Sequence, residues 1–268
     1  MAARRMPTLF LSHGSPLLAI EDSAARRFLT ALGPRLPRPA AVVVFSAHHD
    51  AGRVEITSSA NPKTIHDFGG FPRELYALQY RAPGAPELAV QVRELLLDAD
   101  IDAALEPRRG LDHGAWIPLH LMYPAADRPV VQVSIDSARD PAWHLALGRA
   151  LRPLRDSGVL LIGSGGATHN LGLYMSSAGR GEDSPPPPWV AQFNDWLATA
   201  TTEGRYDDLV HYRERAPYAA ENHPTPEHFL PLFATLGAAR EDEHGVRLHA
   251  SYDRGLLSLD DYAFGFAE

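Results

Sequence analysis

Three short apolar runs in this chain each pass directly into a turn that carries a histidine. Thr8-Leu9-Phe10-Leu11 leads into Ser12-His13-Gly14-Ser15-Pro16, and Val42-Val43-Val44-Phe45 into Ser46-Ala47-His48-His49. Val159-Leu160-Leu161-Ile162 leads into Gly163-Ser164-Gly165-Gly166-Ala167-Thr168-His169-Asn170-Leu171. Apolar runs of this length, bounded by Gly, Pro and Ser and separated by helical stretches, read as buried strands of a largely parallel sheet. Ligands of such sheets bind outside the carboxyl ends of the strands. The pattern therefore gathers His13, His48 and His169 around one crevice, although they are far apart in the chain.

The 268 residues suit one α/β domain spanning 1–268, a central, mostly parallel mixed sheet flanked by helices in an α/β/α sandwich. Strands are expected at 8–11, 41–45, 54–57, 101–105, 130–135, 159–162, 246–250 and 262–264. Helices are expected at 22–32 with Asp22 as the cap, at 86–97, 111–122, 141–154, 189–201 and 226–236. Residues 176–188, with two glycines and four consecutive prolines, are expected to be an irregular flap between core elements. A formal net charge of −8 argues against a nucleic-acid partner, which calls for a basic face. With no cysteine, disulfides, thiolate metal sites and cysteine nucleophiles are excluded. The first residues lack the apolar core of a signal peptide, and no apolar run reaches the roughly 18 residues of a membrane span. No membrane partner and a cytoplasmic location are the expectation.

Neutral imidazole is a common ligand of iron and zinc, and such sites take about three protein ligands with positions left open for substrate. One such histidine alone reads as a buried ring satisfied by a carbonyl; three at strand ends coincide too well for that. His13 and His48 are expected on adjacent strands. A third ligand is best supplied by Glu221-Asn222-His223-Pro224-Thr225-Pro226-Glu227-His228, where His223, His228, Glu227 and Glu221 compete. His228 is expected in the first turn of the helix that follows, and His223 is pushed towards extended backbone by Pro224. Asp112-His113-Gly114 reads either as a substrate-facing turn or as a helix cap. His49 should point away from His48, and His66, His120, His144, His211, His244 and His249 have no supporting context. Ser164 is no nucleophile elbow, because Ile162 stands where that motif needs glycine.

Taken together, Ser12-His13-Gly14-Ser15-Pro16, Ser46-Ala47-His48, Gly110-Leu111-Asp112-His113-Gly114, Thr168-His169-Asn170-Leu171 and His223-Pro224-Thr225-Pro226-Glu227-His228-Phe229-Leu230-Pro231-Leu232 resemble the class III extradiol ring-cleaving dioxygenases, in the branch similar to 4,5-DOPA dioxygenase. The motifs run in order from residue 12 to 232. The resemblance implies a non-haem Fe(II) site, with Zn(II) able to occupy the same position, and O₂-dependent opening of a small aromatic diol such as DOPA. It implies His13, His48 and His228 as metal ligands, His169 as the acid–base residue and His113 as a residue contacting substrate or oxygen. Where other class III enzymes carry a carboxylate ligand, this chain offers His228, which leaves the ligand set one unit more positive. The competing reading is a zinc-dependent hydrolase that uses the same histidines to activate water.

Overall fold

The computed structural model describes residues 5–177, 179–181 and 184–266. Ten strands are described: β1 Thr8–Ser12, β2 Ala41–Asp50, β3 Val54–Thr57, β4 Ala103–Glu106, β5 Val130–Ile135, β6 Val159–Gly165, β7 Gly245–His249, β8 Tyr252–Asp253, β9 Leu257–Ser258 and β10 Asp261–Phe264. The helices are α1 Ala24–Arg35, α2 Arg73–Ala77, α3 Pro86–Asp98, α4 His113–Met122, α5 Pro141–Leu151, α6 Leu171–Ser176, α7 Pro188–Thr202, α8 Tyr206–Val210, α9 Tyr212–Arg215, α10 Ala219–Asn222 and α11 Leu230–Ala238. Eight strands form one sheet in the order β4-β3-β5-β2-β6-β1-β10-β7, and β8 and β9 form a separate hairpin. The middle four, β5, β2, β6 and β1, are parallel. The sheet turns antiparallel where β3 meets β5 and where β10 meets β1 and β7.

The run Val42-Val43-Val44-Phe45 is apolar without alternation because both faces of the sheet are covered. Val42 and Val44 join Leu9, Leu11, Leu160 and Ile162 against α1 and α4. Val43 and Phe45 join Val131, Val133 and Leu161 against α3 and α5. Further along that second face, Phe10 packs with Phe193 and Leu197 of α7 and Leu232 and Phe233 of α11. This is the expected α/β/α sandwich.

Several local expectations are corrected. β1 and β2 are not neighbours; β6 lies between them and pairs in parallel with both. β2 runs on through His48 and His49 to Asp50, with an irregularity against β5 between Ser46 and Asp50 that absorbs the extra residues. Ser23, not Asp22, caps α1, and the helix continues through Gly33 and Pro34 to Arg35. α11 begins at Leu230, so His228 stands in the turn before it, where Phe229 N–H and Leu230 N–H both donate to Pro226 O. α5 ends at Leu151 and gives way to a 3₁₀ turn, Arg152–Ser157. β4 is shifted to start two residues late. The irregular segment does separate α6 from α7, but Ala178, Glu182 and Asp183 lie outside the described residues.

α5 and α11 cross so closely at Gly148 that a Cβ there would stand 1.8 Å from the carbonyl oxygen of Ala234. The backbones would have to part, and overpacking of this kind costs about 1–3 kcal/mol or more. Gly148→Ala should lower stability by at least that much in urea denaturation, whereas Gly52→Ala, with nothing within 4 Å of its new methyl, should change it little.

Candidate active site

The carboxyl end of β6 is nearly free of side chains, and the site is assembled over it. His13 leaves β1 with its N–H donating to Gly165 O at 3.0 Å, and Gly166 N–H donates to His228 O at 2.9 Å. A Cβ on Gly165 would lie 2.1 Å from that His228 carbonyl, so only glycine lets the turn before α11 rest on the strand end. His48 reaches in from the far side of β6 at the end of β2. Across this gap His48 Nε2 lies 3.0 Å from His13 Nε2 and 3.2 Å from His228 Nε2.

The atoms behind each ring decide which nitrogen carries hydrogen. Ser164 Oγ donates to Gly114 O, so it can only accept from His13 Nδ1 at 3.0 Å, and His13 Nε2 is left as a bare lone pair. His228 Nδ1 is 3.0 Å from Glu227 Oε1, an acceptor, which leaves its Nε2 bare as well. Thr225 Oγ1 donates to the same Glu227 oxygen and holds it in place. His48 Nδ1 faces Asp67 Oδ2 at 3.7 Å. Two bare lone pairs and at most one ring hydrogen thus meet in this gap, a set of nitrogens suited to holding a cation. An all-imidazole donor set suits Fe(II) or Zn(II). Burial, reinforced by the neighbouring imidazoles, holds His13 and His228 well below the usual histidine range. Burial and then His113 pull His48 down to about 4. All three rings are neutral at pH 7, the form that binds metal.

Two further histidines complete the pocket. His169 stacks on His228 with ring centres 3.4 Å apart and planes 8° from parallel, its Nδ1 4.0 Å from Glu227 Oε1. Burial lowers His169 to about 4 against the opposing pull of Glu227. An acid–base residue works best with a value near neutrality, and His169 lies below that; its ring rests neutral at pH 7. His113 opens α4, with Asp112 as N-cap accepting from Ala115 N–H, which is the capping reading. The His113 ring lies 3.9 Å from His48 and 5.3 Å from His13, and Phe68 meets it edge-on at 5.6 Å. His13, His48 and His113 offer ring nitrogens within 4.8 Å of one another, and His169, Glu227 and His228 form a second such group.

Of the rival third ligands, Glu227 belongs to the second of these groups, and His223 and Glu221 lie in neither. His223 is fully buried with Nε2 3.0 Å from Ala167 O, a structural tie between the turn after α10 and the end of β6. Glu227 stands behind His228, and Glu221 receives Asn170 Nδ2 on its backbone carbonyl. His49 turns away and pairs with Glu55 at 3.1 Å, as the strand alternation requires. The sequence did not flag Asp67, whose only local signal is its place in an aromatic stretch. Burial alone would raise its carboxyl, but His113 and His48 outweigh that and hold it at about 2. Nor did it flag Ser164 as the partner of His13, or the bonds that the buried Asp112 accepts beyond its cap, from Ser46 Oγ, Gln132 Nε2 and Arg109 Nη2, while Arg109 also donates to His48 O.

Burial pulls His223 from the ordinary histidine range down to about 3. Below pH 6.5 the unfolded chain binds a proton there that the folded chain refuses until about pH 3, so stability falls with pH across that window. The slope is about 1.4 kcal/mol per pH unit for each such proton. In urea melts of the metal-free protein between pH 6 and 4, His223→Gln, which keeps a donor for Ala167 O, should flatten the dependence by about one proton.

The model of the family "Catalytic LigB subunit of aromatic ring-opening dioxygenase" matches residues 7–264. A 4,5-DOPA dioxygenase extradiol of Beta vulgaris is 43% identical over 262 residues, covering 96% of both chains. One of Escherichia coli K12 is 46% identical over 242 residues, 89% of this chain and 87% of that one. A crystal structure of an uncharacterized protein from Escherichia coli K12 superposes with a TM-score of 0.82 at 38% identity, covering 97% of this chain and all of the other. With the sandwich, the histidine-lined strand ends and the motif order all in agreement, the chain belongs to the LigB family of aromatic ring-opening dioxygenases.

Proposed function

We propose that the protein opens the ring of a catecholic substrate, DOPA or a related diol, by extradiol cleavage with O₂, using a divalent metal held by His13, His48 and His228. The observation that carries the reading is the meeting of their three Nε2 atoms at 3.0 and 3.2 Å, with hydrogen-bond acceptors behind the rings. Membership of the ring-opening dioxygenase family and the names of the DOPA dioxygenase relatives support the choice of reaction. We assign Fe(II) as the working metal, with Zn(II) as a competitor for the same nitrogens, and a cytoplasmic setting. The hydrolase reading has no observation in its favour.

When bound, iron supplies acidification of the diol and the electron chemistry that lets an aromatic ring react with O₂. The chain's own residues do the rest. His169, neutral and facing the same gap, accepts a diol proton and returns it when the ring opens; Glu227, 4.0 Å from its Nδ1, steadies the protonated ring. His113 borders the substrate side together with Phe68, whose edge contact turns an apolar ring towards the place where a flat substrate lies. Glu227 also compensates for the absent carboxylate ligand, because its negative charge remains one imidazole removed from the metal position. Ser184, Pro185 and Pro186 share a cleft with Gly14 and Ser15 of the His13 turn, and we assign them to a flap beside the site.

Anaerobic loading with Fe(II) followed by O₂ uptake on a panel of catechols tests the reaction. One O₂ consumed per catechol, with a coloured ring-opened semialdehyde, is expected; no uptake with any catechol overturns the reading. His13→Ala, His48→Ala and His228→Ala should each lose metal by elemental analysis with the fold kept. His169→Gln should retain metal and lose about 10²–10⁴ in kcat, the usual worth of general acid–base catalysis. Loss of metal in His169→Gln would move that ring into the ligand set.

A further inference from the structure

Asp67 lies in the segment between β3 and α2, away from every motif that marks the family resemblance, yet its carboxylate meets two of the five site histidines. Oδ2 is 3.0 Å from His113 Nδ1, off the line of an ideal hydrogen bond, and 3.7 Å from His48 Nδ1. Oδ1 accepts the backbone N–H of His113 at 2.9 Å. That bond fixes the carboxylate to the start of α4, so Asp67 cannot swing towards one ring without leaving the other.

We propose that Asp67 is a positioning residue whose single carboxylate sets the tautomer of His48 and His113 together, keeping hydrogen on Nδ1 of both and a bare Nε2 on both. The argument is one of donors and acceptors. An ionised carboxylate only accepts, so a neutral ring beside it is favoured with hydrogen on the near nitrogen. For His48 the consequence is a lone pair on Nε2, the atom that lies 3.0 Å from His13 Nε2 and 3.2 Å from His228 Nε2. For His113 it is an acceptor at Nε2, the nitrogen left for a ligand, whose hydroxyl it then receives as a donor. His13 has Ser164 as its acceptor, and His228 has Glu227, which also stands 4.0 Å from His169 Nδ1. His48 shares its carboxylate with His113, a ring outside the proposed ligand set, which ties metal binding to the substrate side of the pocket.

The inference rests on the ligand assignment proposed above, and Asp67→Asn tests it sharply. The amide can keep its oxygen on the His113 N–H, but its NH₂ then faces the two Nδ1 atoms and favours hydrogen on Nε2. Nitrogen-15 spectra of the metal-free wild type should show protonated Nδ1 and bare Nε2 in His48 and His113, with the proton moved to Nε2 in Asp67→Asn. Zn(II) affinity, measured by competition with a chromogenic chelator, should fall about 10–100-fold in Asp67→Asn, the usual loss when the partner of a ligand histidine is removed. Asp67→Glu should recover most of it, with melting temperatures near wild type throughout. Unchanged tautomers in Asp67→Asn overturn the proposal, whether or not affinity falls, and so does wild-type affinity. Should Asp67→Asn fail to fold, hydrogen found on His48 Nε2 in the wild type overturns it by itself. Failure of the wild type to bind Zn(II) would instead sink the ligand assignment, and the metal-free spectra would still decide the role of Asp67.

Discussion

The site depends on the last three residues of β6 having almost no bulk. Gly163, Ser164 and Gly165 end a strand buried on both sides, and α11 with the turn before it lies directly on them. A Cβ on Gly163 would come within 2.2 Å of Pro231 O, as one on Gly165 would of His228 O at 2.1 Å. With that floor kept low, rings from β1, from β2 and from the turn before α11 meet above it. Ser164 adds the one polar group the floor needs, a hydroxyl that takes the hydrogen of His13 and passes its own to Gly114 O. Any larger residue there would lift one histidine away from the other two.

Around this floor the electrostatics are arranged in two rings. The inner ring is uncharged: burial suppresses protonation of His13, His48, His228 and His169. The outer ring holds the negative charge on Asp67 and Glu227, each within about one imidazole of the centre. Keeping the anions outside preserves their effect on the histidine rings while leaving the inner space open. A carboxylate ligand would place the charge closer and occupy that space.

Much of the architecture was legible because buried parallel strands leave a strong signature: β1, β5 and β6 begin where the apolar runs begin. The candidate histidines were legible for a related reason, since polar residues immediately after such runs must sit at the strand ends. Strand order was not, because the insertion of β6 between β1 and β2 follows from how α1 and α5 pack on opposite faces, which no local pattern records. The start of α11 was misplaced because Pro226 and the residues after it form a helix-like turn that does not propagate. Asp67 was hidden for a different cause. A lone carboxylate in an irregular segment carries no periodicity, and its partners His48 and His113 are 19 and 46 residues away.

The hydrogen bonds that seat His13 have a bearing on when the site comes into being. Ser12 N–H donates to Asp261 Oδ1 and Ser12 Oγ to Asp260 O, contacts that span 249 and 248 residues, and His48 meets His228 across 180. Contacts of such sequence separation form late, because the entropy of closing long loops must be met before they stabilise anything. During synthesis His13 emerges early but waits for β10 before its strand end is gripped. A chain stalled before residue 260 would carry all 13 histidines and lack the residues that grip the end of β1. Metal capture is thereby placed after folding, and a loaded site marks a chain whose distant segments have already found each other.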